Sequence, residues 1–260
     1  MILLLVAMVT AGVAAARGMW SPCGLSMLSS LNPVSESARG HRFWVTALWY
    51  VSGAAVGGVL LGDGLALVAF GVGRLQLSES TTWGLVLTAA VIVIASDTAL
   101  FGRSLPDHPR QVDERWLVKY RRWIYAGGYG LQIGAGFATY IMTAAVYLVA
   151  ALAVLTASPP SVWMIGVVFG TVRGLTVAVA ARARTPELLR RMHQRLDRVA
   201  GASLWVAIAI EAAVAAVSGW VLAGPLLGAA MLAATACLAA VRPLRGRALR
   251  GRARKIVLRA

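Results

Sequence analysis

The chain has 260 residues, 59% of them hydrophobic and only 13% charged, with a mean hydropathy of +0.74. That apolar share exceeds what a water-soluble domain carries and excludes a soluble enzyme. The net charge of +15, from 25 Lys and Arg against 10 Asp and Glu, does not build a nucleic-acid-binding face, because the basic residues fall between hydrophobic runs.

Stretches long enough to cross a hydrocarbon core of about 30 Å lie roughly at 2–31, 43–72, 83–101, 124–155, 161–181, 202–223 and 226–241. The first, second and fourth are longer than an upright helix needs and contain Gly or Pro, which predicts tilted, kinked or broken helices. Gly224-Pro225 separates the last two and leaves the seventh span short. The N-terminal run lacks the basic n-region of a signal peptide and reads as a span.

Loop charge sets the orientation. With the N-terminus outside, 22 of the 25 basic residues are cytoplasmic: Arg39 and Arg42, the cluster from Arg103 to Arg122, the cluster from Arg182 to Arg198, and the tail after Val241. Arg74 alone lies outside, while Arg17 and Arg173 fall within spans. Trp44, Trp83, Trp123, Trp163, Trp205 and Trp220 sit near span ends, where an aromatic belt is expected. The reading is a multi-pass plasma-membrane protein with a cytoplasmic C-terminus.

Two inner loops carry helical patterns. Thr185-Pro186-Glu187 supplies an N-cap, an N1 proline and an early acid, followed by Leu189, Met192, Leu196 and Val199 between arginines. This predicts an amphipathic helix on the inner leaflet. Val112, Trp116, Tyr120 and Trp123 repeat the idea more weakly beside Arg115, Lys119, Arg121 and Arg122. Both loops serve topology or attract anionic lipid headgroups.

Residues 12–28 align with 130–146, pairing Gly12 with Gly130, Gly18 with Gly136, Met19 with Phe137 and Ser21 with Thr139. Further on, Trp44 meets Trp163, Tyr50 meets Phe169 and Ser52 meets Thr171. A repeated three-span unit inverts its second copy, because an odd number of crossings ends on the opposite side. The expected fold is therefore all-α and polytopic, a six-helix inverted repeat (3+3) plus a seventh C-terminal helix. Its parts are a first repeat at 1–101, a basic linker at 102–123, a second repeat at 124–223, an extra helix at 224–241 and a basic tail at 242–260. Gly53-x-x-x-Gly57, Gly58-x-x-x-Gly62 and the ladder Gly166, Gly170, Gly174 predict close packing of the second and fifth spans.

Ser21-Pro22-Cys23-Gly24 is the segment most suggestive of chemistry, since proline inside an apolar run frees backbone groups next to a thiol. This first span, SPCGLSML followed by Asn32-Pro33, resembles the proline–cysteine helix of the CcdA and DsbD thiol–disulfide interchange and cytochrome c biogenesis membrane proteins, within the LysE-type transporter superfamily. The resemblance implies inverted three-helix halves, each with a cysteine in its first helix, passing reductant across the membrane. It casts Cys23 as the nucleophile and Pro22 as the residue that opens the helix, with a thioredoxin-like or other protein partner completing the exchange. The second half departs from the pattern, with Tyr140 and Ile141 at the proline and cysteine positions. Cys237 substitutes only if the seventh span packs beside the first.

Charges inside spans are costly and face a cavity or a partner. Arg17, Arg173 and Glu211 lie at similar depth and form either a binding site for a small anionic solute or an Arg–Glu pair that locks helices together. Asp63 and Asp97, near span ends, read as snorkelling or capping residues. His41, His108 and His193 all fall in inner loops, so no haem ligation is implied. No cofactor or metal is expected, and neither an ATPase nor a hydrolase motif is present. The function classes left are single-cysteine thiol transfer, a solute carrier, and a non-catalytic membrane subunit whose basic segments dock a partner.

Overall fold

The computed structural model describes residues 1–98, 115–137, 139, 141–238 and 240. The linker stretch with Arg103, His108, Arg110 and Val112, as well as Tyr140 and the tail 242–260, lies outside the described residues. Every element described is helical, and five helices are long and apolar enough to cross a membrane. They present Leu48, Leu67, Val68 and Phe70 outward, each more than half exposed. Such apolar surface is tolerable against lipid and not against water, so the architecture is that of an integral membrane protein.

The first run is two helices. α1 (Ile2–Arg17) passes into a 3-10 turn at Gly18–Trp20, and Ser21 is extended before α2 (Pro22–Ser30) starts. Pro22 cannot donate to the preceding turn, and the Ser21 hydroxyl caps α2 by accepting from Gly24 N at 3.0 Å. Asn32 then caps the short α3 (Pro33–Ala38), accepting from Ser35 N at 3.0 Å.

In the second run the broken alternative is not taken. α4 (Phe43–Arg74) is one unbroken helix of 32 residues, and its glycines serve as packing surface instead of hinges. α5 (Glu79–Asp97) follows, capped by Ser78. Of the weak loop pattern before the fourth run, Trp116 lies in the short α6 (Trp116–Lys119) and Trp123 in the next helix. There Trp116 stacks on Tyr129 with ring centroids 6.0 Å apart.

The fourth run is broken, as its length predicted. α7 (Arg122–Gly134) and α8 (Ala145–Leu155) are separate helices, and Gly136, just beyond α7, has φ +68°, a left-handed conformation that only glycine adopts without cost. α9 (Pro159–Leu175) continues as a 3-10 turn to Arg182. The amphipathic loop helix and the sixth span prove to be one helix, α10 (Pro186–Ala223), whose 38 residues reach about 57 Å at 1.5 Å per residue. Thr185 caps it as predicted, accepting from Leu188 N at 3.2 Å. The stretch between Val199 and Leu204 holds one glycine, Gly201, and no proline, and an isolated glycine is tolerated inside a helix, so the helix runs on from the amphipathic segment into the apolar one. Pro225–Leu238 forms α11, about 21 Å long and shorter than a full span.

α4 is the hub, packed most extensively on α9 and α7. A Cβ at Gly58 would lie 2.2 Å from Gly166 O, and one at Gly170 would lie 2.2 Å from Ala54 O. On its other face, Cβ atoms at Gly53 and Gly134 would come within 2.1 and 2.0 Å of Gly127 O and Ala54 O. The predicted glycine ladder thus lets two backbones touch α4 at once. Around the hub, α1 packs on α9, α8 and α10, while α5 packs on α10 and α8. Of the proposed belt residues, Trp44, Trp123, Trp163, Trp205 and Trp220 are exposed, but Trp83 is 5% exposed and belongs to the core.

Candidate functional site

Three buried polar centres punctuate this apolar bundle. The first surrounds Arg173, which α9 carries inward on the same face as Gly166 and Gly170. Its guanidinium lies against the 3-10 turn after α1, where a Cβ at Gly18 would come 2.8 Å from Cζ. Nη2 donates to Thr139 Oγ1 at 3.2 Å, and the group sits over the Phe169 ring at 5.6 Å. Arg173 therefore touches both helix breaks, one through Gly18 and the other through Thr139. Its electrostatic neighbours are the Tyr50 phenol and the Cys23 thiol. The guanidinium has no carboxylate partner among the described residues, and Nε reaches no hydrogen-bond acceptor there. Cys23 is buried and follows directly on Pro22, the first residue of α2.

The second centre lies on the seam of α5 and α10. Glu211 is fully buried beside Asp97. No hydrogen-bond donor reaches either Glu211 oxygen among the described residues. Asp97 Oδ1 accepts from Ala144 N at 2.8 Å and Oδ2 accepts from the Thr143 hydroxyl. The capping role expected of Asp97 is thus exercised on α8, a helix distant in sequence. Asp63 is exposed on α4.

The third centre escaped sequence reading. Glu36 is fully buried and accepts from Arg39 at 2.7 Å, from the Thr46 hydroxyl at 2.5 Å and from the Tyr125 hydroxyl at 3.1 Å. His41 Nδ1 stands 3.2 Å from that same hydroxyl. The node ties the α3 segment to α4 and α7. Its signal was Asn32-Pro33 followed three residues later by an acid, a helix-start pattern.

The residues expected to share one site are spread over these places. Arg17 donates to Ala200 O at 3.1 Å and to the Ser203 hydroxyl, joining α1 to α10. Trp20 supports the joint by donating to Leu196 O at 2.9 Å. Glu211 faces Asp97, so an acid–acid contact stands where an Arg–Glu pair with Arg17 or Arg173 was envisaged. α11 packs on α10 through Gly219 and Gly228, and Cys237 is exposed there, so it does not take the place of a second-half cysteine beside Cys23. Trp44, Arg182, Arg184, Arg191, Arg195 and Leu196 help line a groove of about 770 Å³.

No family model matches the chain, and no solved structure matches it. It is similar to the methylamine utilization protein MauF of Methylorubrum extorquens, with 33% identity over 162 residues, 62% of this chain and 56% of the relative. The MauF proteins of Paracoccus versutus and Paracoccus denitrificans are each 30% identical, over 161 and 169 residues that cover 62% of this chain and 59% and 58% of theirs. The chain thus spans less than two thirds of the length of these relatives. They overturn the resemblance to the CcdA and DsbD group, which rested on one proline–cysteine step without a second-half counterpart, since the similarity that extends over more than half the chain is to MauF.

Proposed function

We propose that this chain is a multi-pass plasma-membrane component of methylamine utilization, working at the Arg173 centre, where it binds an anionic group. The shared name of the relatives supplies the process, and their similarity over 62% of the chain supports carrying it over. The observation that carries the site is a cation 2% exposed, without a carboxylate partner among the described residues, held between two helix breaks. A buried charge left unneutralised is costly, and a small anion removes that cost. The methylammonium ion, itself a cation, is repelled there, so the ligand is a small anionic solute or an acidic group of a partner.

The inverted 3+3 plan belongs to the same proposal. The packing of α4 on α7 has its counterpart in α9 on α1. α4 on α9 and α5 on α10 are each their own counterparts, as an in-plane pseudo-dyad requires. Ser21 and Thr139, aligned by sequence, occupy the two breaks. Pro22 opens the first break, Cys23 lines it, and Arg17 and Glu211 hold the flanking helices. The arginine-lined groove faces the cytoplasm and seats anionic headgroups; the N-terminus is outside.

The test is growth. A deletion strain grows normally on ammonium and fails on methylamine as nitrogen source, and the wild-type gene restores growth. Arg173→Gln, which keeps a donor for Thr139 but removes the charge, reaches the membrane in normal amount and leaves growth at the deletion level. Full rescue by Arg173→Gln overturns the site, and unimpaired growth of the deletion strain overturns the process.

A further inference from the structure

We propose that Asp97 and Glu211 form a proton-binding site inside the membrane domain, with the proton on Glu211 and shared in a hydrogen bond to ionised Asp97. The two acids come from helices packed along one seam, α5 and α10. Their environments differ in the way that assigns the proton. Asp97 is partly exposed and accepts from a backbone amide and a hydroxyl, with the N-terminus of the 11-residue α8 directed at it. Charge-assisted donors and a helix N-terminus both stabilise an ionised carboxylate. Glu211 is fully buried, and no donor of good geometry reaches either oxygen among the described residues. Two like charges in one water-excluded space do not both persist, and the acid without donors is the one that keeps its proton.

Among the described residues, the surrounding helices offer no countercharge that alters this assignment. α1 carries one ionisable side chain, Arg17, which is held at Ala200 and Ser203, eight to eleven residues before Glu211 and about 12–16 Å along the α10 axis. The ionisable residue of α8 is Tyr147, against Phe137 at 5.8 Å, and that of α11 is Cys237, which is exposed. Arg173, on α9, lies at the other centre, against Gly18 and Thr139. The site is independent of the anion-binding reading, since it uses neither Arg173 nor its neighbours. It joins α5, α8 and α10 through one proton, so protonation and the packing of this seam are linked.

The test uses the full chain in detergent at neutral pH. Infrared difference spectra between wild type and Glu211→Gln are expected to show a carboxylic-acid carbonyl band present only in the wild type. In Asp97→Asn the band persists at a shifted frequency, because the acceptor of the hydrogen bond has changed. Dicyclohexylcarbodiimide, which adds to protonated carboxyls in apolar surroundings, is expected to mark Glu211 by mass spectrometry, with labelling at least about tenfold below wild type in Glu211→Gln. Absence of the carbonyl band in the wild type overturns the proposal. Loss of the band on replacing choline chloride with sodium or methylammonium chloride also overturns it, and makes the pair a cation site instead.

Discussion

Gly58→Val is expected to leave little correctly folded protein, with a loss of at least about 3 kcal/mol, the upper end of the usual cost of overpacking. The reason is that the atom in the way is backbone. A Cβ at position 58 would lie 2.2 Å from Gly166 O and 3.0 Å from Gly170 Cα, and neither can rotate aside. Separating α4 from α9 also pulls α4 off α7, because Ala54 O is approached from one side by Gly134 and from the other by Gly170. Gly64→Ala is the control, since a Cβ there meets nothing within 4 Å. The fraction eluting as a sharp monodisperse peak in mild detergent, followed through a temperature series, measures both; equal stability of the two variants contradicts the packing described for the hub.

The second large effect is expected at Glu36. Glu36→Ala removes the common acceptor of Arg39, Thr46 and Tyr125 and leaves a guanidinium and two hydroxyls facing an empty space. Breaking a buried ion pair from one side costs about 3–5 kcal/mol, and here two hydrogen bonds to a charged group go with it. Tyr125→Phe removes one donor and is expected to cost about 1–2 kcal/mol. The two substitutions made together should destabilise by less than their sum, because Tyr125 and Glu36 share one interaction. Thermal unfolding of the four proteins in the same detergent gives the coupling, and strict additivity would show that the node is not a single network.

Much of this architecture was legible because bilayers impose simple rules. Apolar length located α1, α4, α5 and α9, and the Ser21-Pro22 step and the excess length of 124–155 marked two helix breaks. What failed to be legible depended on neighbours that no local pattern encodes. The α10 boundary was missed because a basic amphipathic segment and an apolar span obey the same 3.6-residue periodicity, so their junction leaves no mark. α4 was expected to be tilted, kinked or broken; it is unbroken, and its glycines are fixed by two helices lying against them. At the candidate site, Arg173 stood out as a charge in an apolar run, whereas its neighbours Gly18, Tyr50 and Thr139 are ordinary residues that the fold brings to it. Glu211 was noticed and assigned the wrong kind of partner, since like charges meeting across a seam are not anticipated by a search for opposite ones. Glu36 was passed over because loop acids are usually solvated, and only the return of α7 along α4 buries this one.

Opposite orientation of the two halves around Arg173 is the claim on which the rest depends, and cysteine accessibility in intact cells tests it most directly. In a Cys237→Ser background, single cysteines at Gln76 and Ala157, beside the ends of α4 and α8, are expected to react with a membrane-impermeant maleimide added outside. Cysteines at Ser37 and Glu187 are expected to react only after the membrane is permeabilised. Labelling of Gln76 and Glu187 from the same side would place both ends of the hub pair wrongly and contradict the inverted arrangement.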